Sequence, residues 1–119
     1  MNLKNILIGI DGIKAKGNID IEINGIDSNS KNIKPGYMFI AISGFSSDGH
    51  DFIKNAIDNG ASVIVAENTD KVKKANIPDD ITLIISENTR KFLALSSCNF
   101  YNNPSKKFKL IGITGTKGK

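Results

Sequence analysis

Residues 37–42, Tyr37-Met38-Phe39-Ile40-Ala41-Ile42, form a near-continuous apolar run entered through the turn Pro35-Gly36 and left through Gly44. So short a run between turn residues predicts a β-strand, and a strand apolar on both faces needs a layer of structure on each side of its sheet. This demand constrains the whole chain.

The segments downstream can supply those layers. Ser62 to Ala66 and Thr82 to Ile85 predict two further strands, and helical patterns alternate with them. Phe52, Ile53, Ala56 and Ile57 share one helical face, with Gly60 placed to end the helix and Asp48 or Asp51 placed to cap its start. Lys71 to Ala75 predicts a helical turn, and Asn88 to Tyr101 a helix with Phe92, Leu95 and Cys98 along one side. Asn102 to Ser105 reads as a linker, and the apolar stretch at Leu110 opens another unit. The fold class is α/β: a small, largely parallel or mixed sheet flanked by helices. Upstream, the spacing of Leu3, Ile6, Leu7 and Ile10 predicts one short helix ending near Gly12 and covering a sheet edge. Ile19-Asp20-Ile21-Glu22-Ile23 alternates and predicts a half-buried strand whose acids are its wet face.

At 119 residues the chain is expected to hold one domain and the first elements of another. Its net charge of +4 raises the question of nucleic acid. The excess lies entirely in residues 106–119, where Lys106, Lys107, Lys109, Lys117 and Lys119 face no acid, leaving eleven cations against twelve acids in the first 105 residues. A neutral body without a basic, aromatic-studded stripe argues against a nucleic-acid surface. No signal-peptide pattern or membrane-length apolar run occurs, and a single cysteine, Cys98, excludes an internal disulfide and suits a reducing cytoplasm. Its place in an apolar helical pattern assigns Cys98 to the core. One histidine and one cysteine make a zinc site improbable, so His50 reads as a hydrogen-bonded loop residue and Asp48 as a cap.

In α/β sheets ligands collect beyond the carboxyl ends of strands. Ser28-Asn29-Ser30-Lys31 and the Gly44 to Gly49 loop flank the Tyr37 to Ile42 strand and offer amides, hydroxyls and an aromatic ring. A flat polar ring such as uracil needs those groups, and a diphosphate needs converging N–H groups and a cation. Ordinary turns carry the same residues. At the other end, Gly115-x-x-Gly118-Lys119 matches half of a nucleotide phosphate loop, a pattern that a small, basic terminal tail shares.

Taken in order, several motifs combine into something more specific. Asn29-Ser30-Lys31-x-Ile33-Lys34-Pro35-Gly36-x-x-Phe39 comes first, followed by Gly44-x-x-x-Asp48-Gly49-His50-Asp51-Phe52-Ile53 and Ala56-x-x-x-Gly60-Ala61. Tyr101-x-x-Pro104-Ser105 and Gly112-Ile113-Thr114-Gly115-Thr116-x-Gly118-Lys119 complete the series. The combination resembles the start of the Mur ligases, nearest to the members that add the third peptide residue. The resemblance implies a cytoplasmic, monomeric enzyme of peptidoglycan synthesis that uses ATP and Mg2+ to join a diamino acid, diaminopimelate or lysine, to UDP-N-acetylmuramoyl-L-alanyl-D-glutamate. It further implies that residues 1–105 are the UDP-sugar-binding N-terminal domain, and that 106–119 are the first strand and truncated phosphate loop of the ATP-binding central domain.

By the same resemblance Ser28, Ser30, Phe45, Ser46 and Ser47 line the uridine site, and Thr114, Gly115, Thr116, Lys117, Gly118 and Lys119 form the phosphate loop. Catalytic groups and metal ligands are expected beyond Lys119, so this chain alone is expected to be inactive, to carry no bound cofactor and to have a disordered or loosely docked terminus. Three residues depart from the family pattern. Asn29 and Lys31 stand where many members have aspartate and arginine, which weakens any pairing there, and Lys117 replaces an asparagine. Two alternatives remain: the sister ligase that adds the terminal dipeptide, and a non-catalytic nucleotide-binding or interaction module. Tyr101-x-x-Pro104-Ser105 and Thr-Gly-Thr favour the first reading over the sister ligase.

Overall fold

The structure, a computed structural model, describes residues 1–42, 48–67 and 70–101. Among these residues five strands form one sheet in the order β1-β5-β4-β3-β2, comprising β1 (Ile13–Lys16), β2 (Gly25–Asp27), β3 (Tyr37–Ile40), β4 (Val63–Ala66) and β5 (Thr82–Ser86). Strands β2 to β5 are mutually parallel, and β1 joins β5 antiparallel, so the sheet is mixed. Four helices accompany it among the described residues: α1 (Leu3–Ile6), α2 (Ile53–Asp58), α3 (Asp70–Lys74) and α4 (Thr89–Tyr101).

The apolar run at Tyr37 behaves as its composition requires. Met38 pairs in register with Val63 and Ile40 with Val65, and these four side chains pack with Leu3, Ile6, Ile84 and Phe92 on the α1/α4 face. Phe39 and Ala41, which alternate with them along the chain, point the other way and join Ile53, Ala56, Ile64 and Ala66 under α2. Burial on both faces makes three layers, with β3 and β4 in the middle.

Helix α2 stops where glycine permits. Gly60 has φ +110°, its N–H donates to Ile57 O at 3.0 Å, and Ala61 N–H donates to Ala56 O at 3.0 Å. This pair of bonds closes the last turn and hands the chain to β4. A Cβ at Gly60 would also lie 2.7 Å from Pro35 Cα, so two constraints exclude a side chain there.

Two expectations need correction. Ile19 to Ile23 is not a sheet strand. Its backbone pairs with the N-terminal residues instead: Leu3 N–H donates to Ile21 O and Ile23 N–H to Met1 O, both at 2.8 Å, around a single bridge between Asn2 and Glu22. The alternation is real, since Ile23 is buried while Glu22 meets the terminal ammonium and Asp20 accepts from Asn2, but tertiary partners decide what it pairs with. The sheet takes Ile13–Lys16 and Gly25–Asp27 as its two edges instead, the first with little burial and the second only three residues long and starting on a glycine. Cys98 is exposed rather than core. Helix α4 turns Thr89, Phe92 and Ser96 inward, and Asn99 Nδ2 donates to Ile6 O and Ile8 O at 2.8 Å, tying α4 to the end of α1. The strand at Leu110, the linker at 102–105 and the conformation of the terminal stretch lie outside the described residues.

Candidate functional site

Because β2, β3, β4 and β5 run the same way, all four deliver their carboxyl ends to one edge of the sheet. Two single 3-10 turns stand there. The first, Ser30–Asn32, follows β2 and is built from short polar side chains: Asp27 Oδ1 accepts from Asn29 N–H at 2.8 Å, and Asn29 Oδ1 accepts from Lys31 N–H at 3.0 Å. Ser30 is buried, and Asn59 at the end of α2 donates to its carbonyl at 2.7 Å. Asn29 thus serves as a cap, a task that an amide oxygen performs as well as a carboxylate would.

The second turn, Gly49–Phe52, leads into α2. Asp48 caps it, accepting from His50 N–H at 3.0 Å, as the spacing predicts. Gly49 lies against β3's exit: its N–H donates to Ile42 O at 2.8 Å, and a Cβ on it would stand 2.5 Å from Ile42 N. Only glycine fits so near a backbone.

Between the two turns lies a hollow of about 320 Å³, lined by Ser28, Asn29, Ser30, Lys31, Ile42, Gly49 and Phe52. That volume is at the lower end of small-molecule sites, roughly 300–1,000 Å³. Hydroxyls, a side-chain amide and a lysine occupy one wall, while Ile42 and the half-exposed ring of Phe52 supply an apolar face. Such a hollow can hold a flat polar ring with a phosphate near Lys31.

Behind the second turn is a charged cluster. His50 is buried, and its Nδ1 lies 2.7 Å from Asp48 Oδ1. The other nitrogen, Nε2, lies 3.0 Å from Glu67 N at the end of β4. Lys71 of α3 reaches Asp48 Oδ2 at 3.1 Å and Asp51 Oδ1 at 2.9 Å. Burial opposes the Asp48 charge, but the N–H and ring of His50 together with the Lys71 ammonium outweigh it and hold the carboxyl well below the usual carboxylate range. Hydrogen bonds to Asp51 and Asp48 raise the Lys71 pKa.

A larger cleft of about 630 Å³ opens on the β1/β5 side, lined by Gly12, Ile13, Lys14, Glu67, Ile85, Ser86 and Glu87. Glu67 is committed there to the start of α4, accepting from Thr89 N–H at 3.3 Å and Thr89 Oγ at 3.2 Å. A carboxylate at a helix N-terminus satisfies otherwise open N–H groups and the helix dipole. Among the described residues no group of three or more His, Cys, Asp and Glu side chains could hold a metal ion.

Of the residues expected at the uridine site, Ser28 and Ser30 stand together on the hollow, whereas Phe45, Ser46 and Ser47 lie outside the described residues. Thr114 to Lys119, expected to hold ATP phosphates, also lie outside them. Periodicity places Phe52 on the helix face and Ile42 in the strand, and both are walls of the hollow besides. Phe52 reaches the hollow because it ends the turn that Asp48 caps, four residues after that cap.

Comparison with known proteins bears on what this edge belongs to. The chain is 46% identical over 119 residues to the UDP-N-acetylmuramoyl-L-alanyl-D-glutamate--2,6-diaminopimelate ligase of Clostridium tetani and 44% identical to that of Clostridioides difficile. The whole chain aligns in both cases, but it spans only 24% and 23% of those relatives' lengths. Two crystal structures of MurF from Acinetobacter baumannii share the fold, with TM-scores of 0.68 and 0.63 at 20% and 24% identity, over 87% and 79% of this chain and 21% and 19% of theirs. Residues 22–101, which contain both turns and every wall of the hollow, match the Mur ligase family, catalytic domain, and the chain therefore belongs to the Mur ligase family.

Proposed function

We propose that residues 1–105 form the domain of a UDP-N-acetylmuramoyl-L-alanyl-D-glutamate--2,6-diaminopimelate ligase that holds the UDP end of its nucleotide-sugar substrate, with residues 106–119 beginning the ATP-binding domain. The observation that carries this reading is the hollow between the two capped turns, which joins Ser28 and Ser30 to an apolar wall at the carboxyl edge. Hydroxyl and amide groups suit the edge of uracil, Phe52 and Ile42 suit its face, and Lys31 suits the diphosphate. Identity over the whole chain to two ligases named for diaminopimelate favours that diamino acid over lysine.

In this reading the chain binds and orients. Amide formation driven by ATP with Mg2+ belongs to the remainder of a cytoplasmic ligase, and Thr114, Gly115, Thr116, Lys117, Gly118 and Lys119 begin the loop that holds the ATP phosphates. Fixing one end of a long substrate reduces the entropy lost when the distant carboxylate is aligned. Calorimetric titration with UDP-N-acetylmuramoyl-L-alanyl-D-glutamate checks the proposal. Saturable binding that UDP competes away is the expected result, and no heat of binding at millimolar ligand overturns it.

A further inference from the structure

We propose that His50 is a positioning residue for the nucleotide site, its imidazole acting as a two-ended latch that fixes the Gly49–Phe52 turn against the end of β4. The inference rests on the reading of the hollow as the UDP site. Gly49 and Phe52, the first and last residues of the turn, are walls of that hollow. His50, between them, has no exposed side-chain surface and makes a hydrogen bond from each ring nitrogen.

The chemistry of the partners assigns the ring's proton. Glu67 N–H can only donate, so Nε2 must accept, and a neutral ring then carries its hydrogen on Nδ1, where it donates to Asp48 Oδ1. The ring therefore connects the crossover after β3 to the crossover after β4. Its surroundings hold that arrangement from each side: Asp48 on its own turn, Lys71 of α3 on Asp48, Asp51 on Lys71, and the Glu67 carboxylate directed to Thr89 at the start of α4.

An apolar residue of similar size at position 50 could fill the space, but it would leave Glu67 N–H without its acceptor and Asp48 without the ring. Packing alone therefore does not account for an imidazole here. Because the latch acts on the turn and makes no contact with the hollow itself, its loss should loosen the Gly49 and Phe52 walls while leaving Ser28 to Lys31 in place.

Titration of the chain with UDP, comparing wild type, His50→Leu and His50→Gln, tests the latch. His50→Leu is expected to weaken UDP binding about ten-fold, the equivalent of one well-placed hydrogen bond. His50→Gln, whose amide both donates and accepts, is expected to recover part of that loss. In the ligase carrying this domain, KM for the UDP substrate should rise with the same ranking while kcat and the KM for ATP stay unchanged. If His50→Leu does not fold, Asp48→Asn, which weakens the ring's acceptor and keeps the cap oxygen, is expected to give a smaller loss in the same direction. Equal UDP affinity in wild type and variants overturns the inference, as does equal loss in the Leu and Gln variants that tracks a lowered unfolding midpoint. Failure of wild type to bind UDP overturns the proposed function and the latch with it, a result separable from the first two.

Discussion

The two turns that wall the hollow share a local design and differ in how the tertiary structure holds them. Each follows a parallel strand, each is one 3-10 turn, and each starts with an Asx side chain accepting a backbone N–H two residues on at 3.0 Å. Asn29 caps the first from the surface, and beyond that cap the turn is tied to α2 through Asn59. Asp48 caps the second while also accepting from the buried ring of His50 and pairing with Lys71. The same short-range rule thus gives a turn with a neutral cap and one amide tie in one place, and a turn with an ionised cap held by a buried ring and a lysine in the other. What sets them apart is the kind of tie each makes with the rest of the chain, since the second turn binds Glu67 and Lys71 through a buried ring and a carboxylate while the first is held by one side-chain amide.

Gly49→Ala should break the second turn most severely. Its Cβ would meet backbone atoms of Ile42 at 2.5 and 2.9 Å, which cannot rotate away. We expect a loss of about 3 kcal/mol, visible as a lowered urea midpoint, together with loss of UDP binding. No comparably tight glycine serves the Ser30 turn, so an unchanged midpoint would remove the distinction.

Next in size is the contrast between the two caps. Asn29→Ala removes a cap alone and should cost about 1 kcal/mol. Asp48→Ala removes a cap and the partner of a buried ring, and should cost about 2–3 kcal/mol. Equal costs by denaturant titration would mean that the buried cluster adds nothing. The acid limb sharpens the same point. Asp48 has its pKa depressed in the folded state, so its contribution is fully present above the ordinary value of 3.8 and is lost as pH falls below it toward the folded pKa. Asp48→Asn should flatten the fall in stability below about pH 4, whereas Asn29→Ala should leave its slope unchanged. Smallest is Lys71→Met: an exposed lysine pairing with two carboxylates is screened by solvent, and its effect should appear mainly as reduced salt dependence of the midpoint.

The sheet's centre was legible because β3 and β4 are dense in large apolar residues, and their helices follow from spacing and from Gly60. Asp48 as a cap and Ser28 with Ser30 at a turn beside the end of a strand were legible for a related reason, since caps and turns are determined within a few residues. The edges were not. Ile13–Lys16 carries two exposed lysines and takes its place from pairing with Ile84 and its neighbours, while Ile19 to Ile23 has a better strand pattern but meets the N-terminal residues first. Cys98 was misplaced for want of one fact, the rotation of α4 about its axis, which Phe92, Ser96 and Asn99 settle through contacts with the sheet and α1.

By itself, the sequence determined that a doubly buried strand needs a layer on each side, that glycine ends α2, and that Asp48 caps the turn beyond that strand, because each of these follows from residues within about one turn or one strand of one another. Only the tertiary structure decided that β1 runs antiparallel, that Phe52 faces a hollow, and that the chain's one histidine is held between Asp48 and the backbone of Glu67. Those depend on which distant segments meet. Hydrogen bonds between residues seventeen positions apart leave no periodicity for a local pattern to reveal.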